Sequence, residues 1–165
     1  MLIEIDVEGE ALAEPEVIEI ETGSPVRAIV VAISSKTGIP VEELLLFEED
    51  GEEPLVLDIL VEESRAAIVH HAHRARNIEV VVNYKGLKPA KHFPPSARVQ
   101  RVLDWAVSVK EFNIDAPIAP EMELALHGQT VELPKQAHIG RYVRHPHHCL
   151  ELDLIRGVVP NGGLR

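Results

Sequence analysis

Hydrophobic residues in this chain follow two periods that alternate twice along its length. Ile3, Ile5 and Val7 occupy every second position between Glu4, Asp6 and Glu8, the pattern of a strand with one face buried and one in water. After Gly9, the stretch EVIEIE at Glu16–Glu21 alternates again and reads as the antiparallel neighbour. The period then changes. Val26, Ile29, Val30 and Ile33 fall at i, i+3, i+4 and i+7, one apolar helical stripe. Ser24 is read as the side-chain cap and Pro25 as the first helical residue, where a missing amide costs nothing. Gly38 supplies the left-handed stop, and Pro40 prevents continuation. Residues 44–47 read as a short apolar strand, Asp50-Gly51 as a turn, 55–61 as further extended chain and 66–69 as the last strand of this half. The next stretch, His73-Arg74-Ala75-Arg76-Asn77, has no apolar periodicity.

The second half repeats the order. Ile78, Val80 and Val82 alternate, and Lys91-His92-Phe93 reads as their partner. Pro94-Pro95-Ser96 then leads into Val99, Val102, Leu103, Ala106 and Val109, spaced for one helical face. Residues 123–128, ELALHG, form a strand running into a turn, and Leu150, Leu152 and Leu154 alternate with Glu151, Asp153 and Ile155 in a final strand. Strand, strand, helix, strand, strand recurs after about 75 residues, a domain-sized period and not the 20–50 residues of a solenoid. One helix cannot cover both faces of such a sheet, so the economical fold is a curved mixed sheet with the helix across its concave side. The prediction is α+β: two tandem β-grasp domains at 1–73 and 78–157, a linker at 74–77 and a tail at 158–165.

Charge sharpens the division. Residues 1–73 hold 18 Asp or Glu against three bases, a balance of −15, whereas residues 74–165 hold 9 acids against 13 bases, a balance of +4, together giving −11. Unlike charges can dock the halves on each other or give each its own partner, and sequence does not choose between the two. The negative total excludes nucleic acid as the primary partner, because phosphate binding needs clustered positive charge. No apolar run approaches the roughly 20 residues of a membrane span. The start MLIEIDVEGE lacks the basic end and apolar core of a signal peptide, and the single Cys149 allows no internal disulfide, so the expectation is a soluble cytoplasmic protein.

Few residues offer chemistry in the body of the chain. His145-Pro146-His147-His148-Cys149 and His70, His71 and His73 are metal-ligand types, but neither cluster has the paired spacing of a zinc site. They are read instead as a turn with exposed imidazoles ahead of a buried Cys149, and no metal is expected. Trp105 falls at helical spacing from Val102 and Val109 and is read as packing. The acids at 48–53 lack the pattern of a calcium loop and are read as a solvated face. No nucleophile with a paired base, phosphate loop or framed carboxylate pair occurs, so the chain is not expected to be an enzyme and no cofactor is expected.

The remaining candidate is the tail, Val158-Val159-Pro160-Asn161-Gly162-Gly163-Leu164-Arg165. Residues 25–47 resemble the ubiquitin helix, its glycine stop and the strand that follows. Residues 124–163 resemble the carboxyl-terminal half of the same fold, with Arg156 leading to Gly162-Gly163. Two such copies ahead of a diglycine resemble the bacterial two-domain ubiquitin-like modifiers of Bil-type antiphage operons, similar to the interferon-induced tandem modifier of vertebrates. The resemblance implies a substrate of an enzyme cascade. A processing peptidase removes Leu164-Arg165, an activating enzyme adenylates Gly163 with ATP, and a conjugating enzyme carries it as a thioester to a target protein. Arg156, Gly157, Val158, Val159, Pro160 and Asn161 are then the tail the enzymes grip. The glycines suit this chemistry, because without a Cβ they thread narrow active sites, and adenylation gives a poor electrophile a good leaving group. The end of the first repeat, His70 to Arg76, has no glycine, so the two domains are expected to be transferred together. The outward positions beside the tail are expected to be Ala125 and Asp153, which lack the apolar patch of ubiquitin. A diglycine sulfur carrier and a noncovalent two-module adaptor are the alternatives.

Overall fold

The computed structural model describes residues 1–157. The first sheet contains β1 (Leu2–Gly9), β2 (Glu16–Glu21), β3 (Leu45–Glu48) and β4 (His70–His73), in the order β2-β1-β4-β3. β1 pairs antiparallel with β2 and parallel with β4, and β3 pairs antiparallel with β4. The second sheet contains β5 (Ile78–Asn83), β6 (Ala90–Phe93), β7 (Met122–Leu126) and β8 (Cys149–Arg156), in the equivalent order β6-β5-β8-β7 with the same strand directions. A parallel pair at the centre of each sheet needs a crossover, and α1 (Arg27–Thr37) and α2 (Val99–Ser108) lie within those crossovers. These are two β-grasp, ubiquitin-like units, α+β overall.

Each core follows from the predicted periodicity. Ile3, Ile5 and Val7 meet the stripe Val26, Ile29, Val30 and Ile33, all buried. Ile78, Val80 and Val82 meet Val99, Val102, Leu103 and Ala106, joined by Leu150, Leu152 and Leu154. Full burial of each such side chain contributes about 1.5–3 kcal/mol. Trp105 packs edge-on to Phe93 with ring centroids 5.7 Å apart. Gly38 ends α1 at φ 77° and returns its amide to the Ser34 carbonyl.

Both helices begin differently from the expectation. Neither Ser24 nor Ser96 caps; α1 starts after Val26 and α2 after Arg98, without a side-chain hydrogen bond. Loop carbonyls do the work. Val26 and Arg27 donate to the carbonyls of Ile59 and Leu57, at 2.8 and 3.0 Å. At the matching place Val99 and Gln100 donate to Ala137 and Lys135, at 2.8 and 2.9 Å. The isolated bridges Pro25↔Leu60 and Arg98↔His138 complete the equivalence. The stretch 55–61, expected to be extended, is therefore a capping loop with one bridge. The last strand of the first unit is also displaced: Glu63–Ala67 is a 3-10 helix, and the strand lies at His70–His73.

That displaced strand is covered on both sides. Ala72 faces the first core, while His71 and His73 face the second unit, and all four strand residues are buried. Unlike charges meet here, so the acidic and basic halves dock. Asp50 takes the Arg98 amide at 3.0 Å and the Arg98 Nε at 2.6 Å. The Asp50 amide donates to the Ser96 carbonyl, and Ser96 Oγ donates to the Gly51 carbonyl, both at 3.0 Å. Arg101 pairs with Glu52 and Arg76 with Glu53. Glu10, 1% exposed, accepts from Arg74 Nε and from the His145 amide, both at 2.6 Å. The acids at 48–53, read as a solvated face, are in large part interface. Residues 74–77 connect the sheets, and within them Ala75 is buried in the second core.

Candidate functional site

The tail leaves from β8, an interior strand held by β5 on one side and β7 on the other. Its root is fixed. Arg156 pairs with Glu121, and the Gly157 amide donates to the Glu121 carbonyl at 2.7 Å. A Cβ on Gly157 would lie 2.8 Å from Glu123 Cγ and 3.2 Å from the Glu121 carbonyl oxygen, so the glycine permits a close backbone approach. Val158, Val159, Pro160, Asn161, Gly162, Gly163, Leu164 and Arg165 lie outside the described residues. Of the sequence-predicted site, the structure therefore places Arg156 and Gly157 and brings both to the edge of β7.

The outward face beside this root is polar. Ala125 sits opposite Asp153 in the β7–β8 register but is fully buried, contrary to the expectation that it is exposed. Asp153 accepts from the Gly128 amide at 2.8 Å, contacts His127 Nδ1 at 2.8 Å and accepts from Asn83 Nδ2 at 3.2 Å. This hydrogen bond to Asp153, with Glu151 nearby, raises the pKa of His127 above its ordinary 6.5. A raised pKa means the charged pair favours the folded state below pH 6.5, and the benefit fades as pH rises through the folded value. Two-dimensional NMR titration is expected to place the His127 midpoint above 6.5, and Asp153→Asn to return it to the ordinary range; identical midpoints would break the assignment.

The histidine clusters separate into two kinds. His145, His147 and His148 are exposed, as expected, but Cys149 is exposed as well and not buried. Its small exposed face opens at the start of β8. Partial burial and the carboxylates of Glu79 and Glu151 raise the thiol pKa, which disfavours the thiolate a nucleophile needs. His70, His71 and His73 are wholly buried, and burial is the main cause lowering the pKa of each. They are neutral rings in a packed interface. His73 is satisfied at both nitrogens, donating from Nε2 to the Val143 carbonyl and accepting the Ala75 amide at Nδ1, each at 2.9 Å. His71 Nδ1 meets Nδ1 of His138 at 3.1 Å across the unit boundary. His138, fully buried, was not singled out from sequence; it stands alone among apolar residues and offers no spacing signal.

No helix among the described residues is long and apolar enough to cross a membrane. The family model described as BilA ubiquitin-like domain 2 matches residues 79–157. No curated protein matches the chain. Among solved structures, a ubiquitin of Caldiarchaeum subterraneum is 14% identical, covering 52% of this chain and 99% of its own, with a TM-score of 0.37. An Arabidopsis thaliana protein, At2g32350, is 17% identical over 53% of this chain and 94% of its own, with a TM-score of 0.38. A chain in the pParkin–pUb–UbcH7 crystal structure is 13% identical, with a TM-score of 0.37; the alignment spans 48% of this chain and a quarter, 25%, of that one. Residues 79–157, just under half of the chain, match the BilA ubiquitin-like domain 2 model, and the chain, with two sheet-plus-helix units in tandem, is similar to the Bil-type ubiquitin-like proteins.

Proposed function

We propose that this chain is a protein modifier: removal of Leu164-Arg165 exposes Gly163, which is adenylated, passed as a thioester through an activating and a conjugating enzyme, and attached to target proteins. The observation that carries the reading is the second ubiquitin-like unit, whose interior strand β8 leads straight into the segment holding Gly162 and Gly163. A strand held on both sides gives the tail a rigid base, so an enzyme can grip the body and still reach the carboxylate. The buried passage from β4 to β5 supports transfer of both units as one, since cutting there would open the interface that Arg74 and Ala75 help to form. On this reading the chain catalyses nothing itself, works in the cytoplasm, and serves the antiphage defence of Bil-type operons.

Incubation with its cognate peptidase is expected to lower the mass by Leu164 plus Arg165. The product then forms an ATP-dependent, thiol-sensitive adduct on its activating enzyme. Gly163→Ala is expected to reduce both steps by about 100-fold or more, the cost of misplacing a reacting carbonyl in a tight channel. Wild-type charging and conjugation of Gly163→Ala would sink the reading. A terminal thiocarboxylate in the mass spectrum would favour a sulfur carrier instead.

A further inference from the structure

Glu8 on β1, His71 on β4 and His138 ahead of the 3-10 helix Ile139–Tyr142 come from three separate places in the chain. All three are buried, and one ligand atom from each lies within 4.8 Å of the others. His138 Nε2 lies 2.9 Å from a Glu49 carboxylate oxygen, a contact that requires the ring proton to sit on Nε2. Its Nδ1 then carries a lone pair aimed at His71 Nδ1, 3.1 Å away. That space holds either one proton or one cation. Two nitrogens bound to the same tetrahedral ion, each at about 2.0–2.1 Å, stand roughly 3.4 Å apart, so the gap needs to open by only a few tenths of an ångström.

The surroundings favour a cation. A carboxylate on the far nitrogen of a ligating imidazole is the usual outer contact of a metal-bound histidine, and Glu49 supplies it. Glu8 brings negative charge, with Arg141 at 3.9 Å and the His138 amide at 3.2 Å as its other polar neighbours. The geometry points to a site for a first-row divalent cation of the zinc class, held by Glu8, His71 and His138 and bridging the two ubiquitin-like units. Two imidazoles and one carboxylate suit Zn²⁺ or Co²⁺ rather than Mg²⁺ or Ca²⁺, which take oxygen ligands. Since the ligands come from both units, the ion ties them together, and binding stabilises the docked form by mass action.

The test is titration of the chelator-treated full chain with Co²⁺, followed by visible absorption, with Zn²⁺ competition and thermal melts alongside. One equivalent is expected to bind with the intense visible band of a low-coordinate Co²⁺ site, and Zn²⁺ to displace it and raise the melting temperature. Glu8→Gln and His138→Gln are expected to weaken binding by about 100-fold, and Glu49→Gln by about 10-fold, the range typical of an outer-shell partner. A triple variant replacing the exposed His145, His147 and His148 by alanine is expected to bind as tightly as wild type. Either of two results overturns the proposal: no stoichiometric binding at micromolar metal, or binding that is lost in the triple variant but kept in Glu8→Gln and His138→Gln. Circular dichroism of each variant separates lost binding from lost folding.

Discussion

Replacing Gly140 by alanine is expected to lower stability by about 3 kcal/mol, the upper part of the range for overpacking a filled site. Backbone strain is not the cause, since Gly140 does not hold a positive φ. Space is. A Cβ there would sit under 3.0 Å from His71 Nε2, 2.8 Å from His71 Cε1 and 2.9 Å from Pro95 Cβ. His71 cannot swing away, because its ring stacks on His73 at 5.7 Å and meets His138 at 5.2 Å. The melting temperature should fall by roughly 6–12 °C, at about 2–4 °C per kcal/mol for a chain of this size. Small-angle scattering should show a larger radius if the units separate rather than unfold. His71→Ala, which vacates the space the new methyl needs, should recover part of the loss in the double variant. A Gly140→Ala protein that melts like wild type, with an unchanged radius, would show that this contact is absent in solution.

Glu10→Ala should cost a similar amount, about 3 kcal/mol, as is usual when one partner of a buried ion pair is removed. Burial alone would raise the pKa of this carboxyl, but the hydrogen bonds from Arg74 and the His145 amide outweigh it and hold it below the ordinary 4.5. The carboxylate is therefore stabilising in place. Removing it leaves the His145 amide without its acceptor and Arg74, 20% exposed, without its nearest anion. Glu10→Gln keeps an acceptor for the amide and should fall between wild type and Glu10→Ala. Urea denaturation at neutral pH orders the three; equal midpoints for all of them would contradict the buried pair.

Local physics set what the sequence could reveal. The alternation of Ile3, Ile5 and Val7 and the stripe Val26, Ile29, Val30 and Ile33 each report one buried face, and those elements stand where expected. β4 did not announce itself, because a strand covered on both faces need not alternate. Its second face is buried by polar rings whose burial depends on a partner 67 residues away, His138. Ser24 looked like a cap and Ser96 like part of a helix start, yet the helix amides bond to loop carbonyls that no short motif encodes. Ser96 is spent instead on Gly51 of the other unit. The charge asymmetry was plain in composition, but only geometry turned it into docking through Asp50 and Arg98. Arg156 and Gly157 were legible as the start of the tail, whereas their pairing with Glu121 required the β7–β8 register.

Partial closure of the outer face of the first sheet has a further consequence, for counting. Two separate ubiquitin-like units would offer a reader two sheet faces, and linked faces multiply affinity through effective concentration. Here Glu8, Glu10, His71 and His73 lie buried against the second unit, while Asn83, Glu151 and Asp153 remain at least partly open. Through its sheets the tandem chain thus offers the outer face of the second unit and only the β1–β2 part of the first, where Leu2, Glu4, Asp6 and Val17 stay exposed. A partner that reads both units through their sheets must therefore use two unlike surfaces, one of them narrowed by docking.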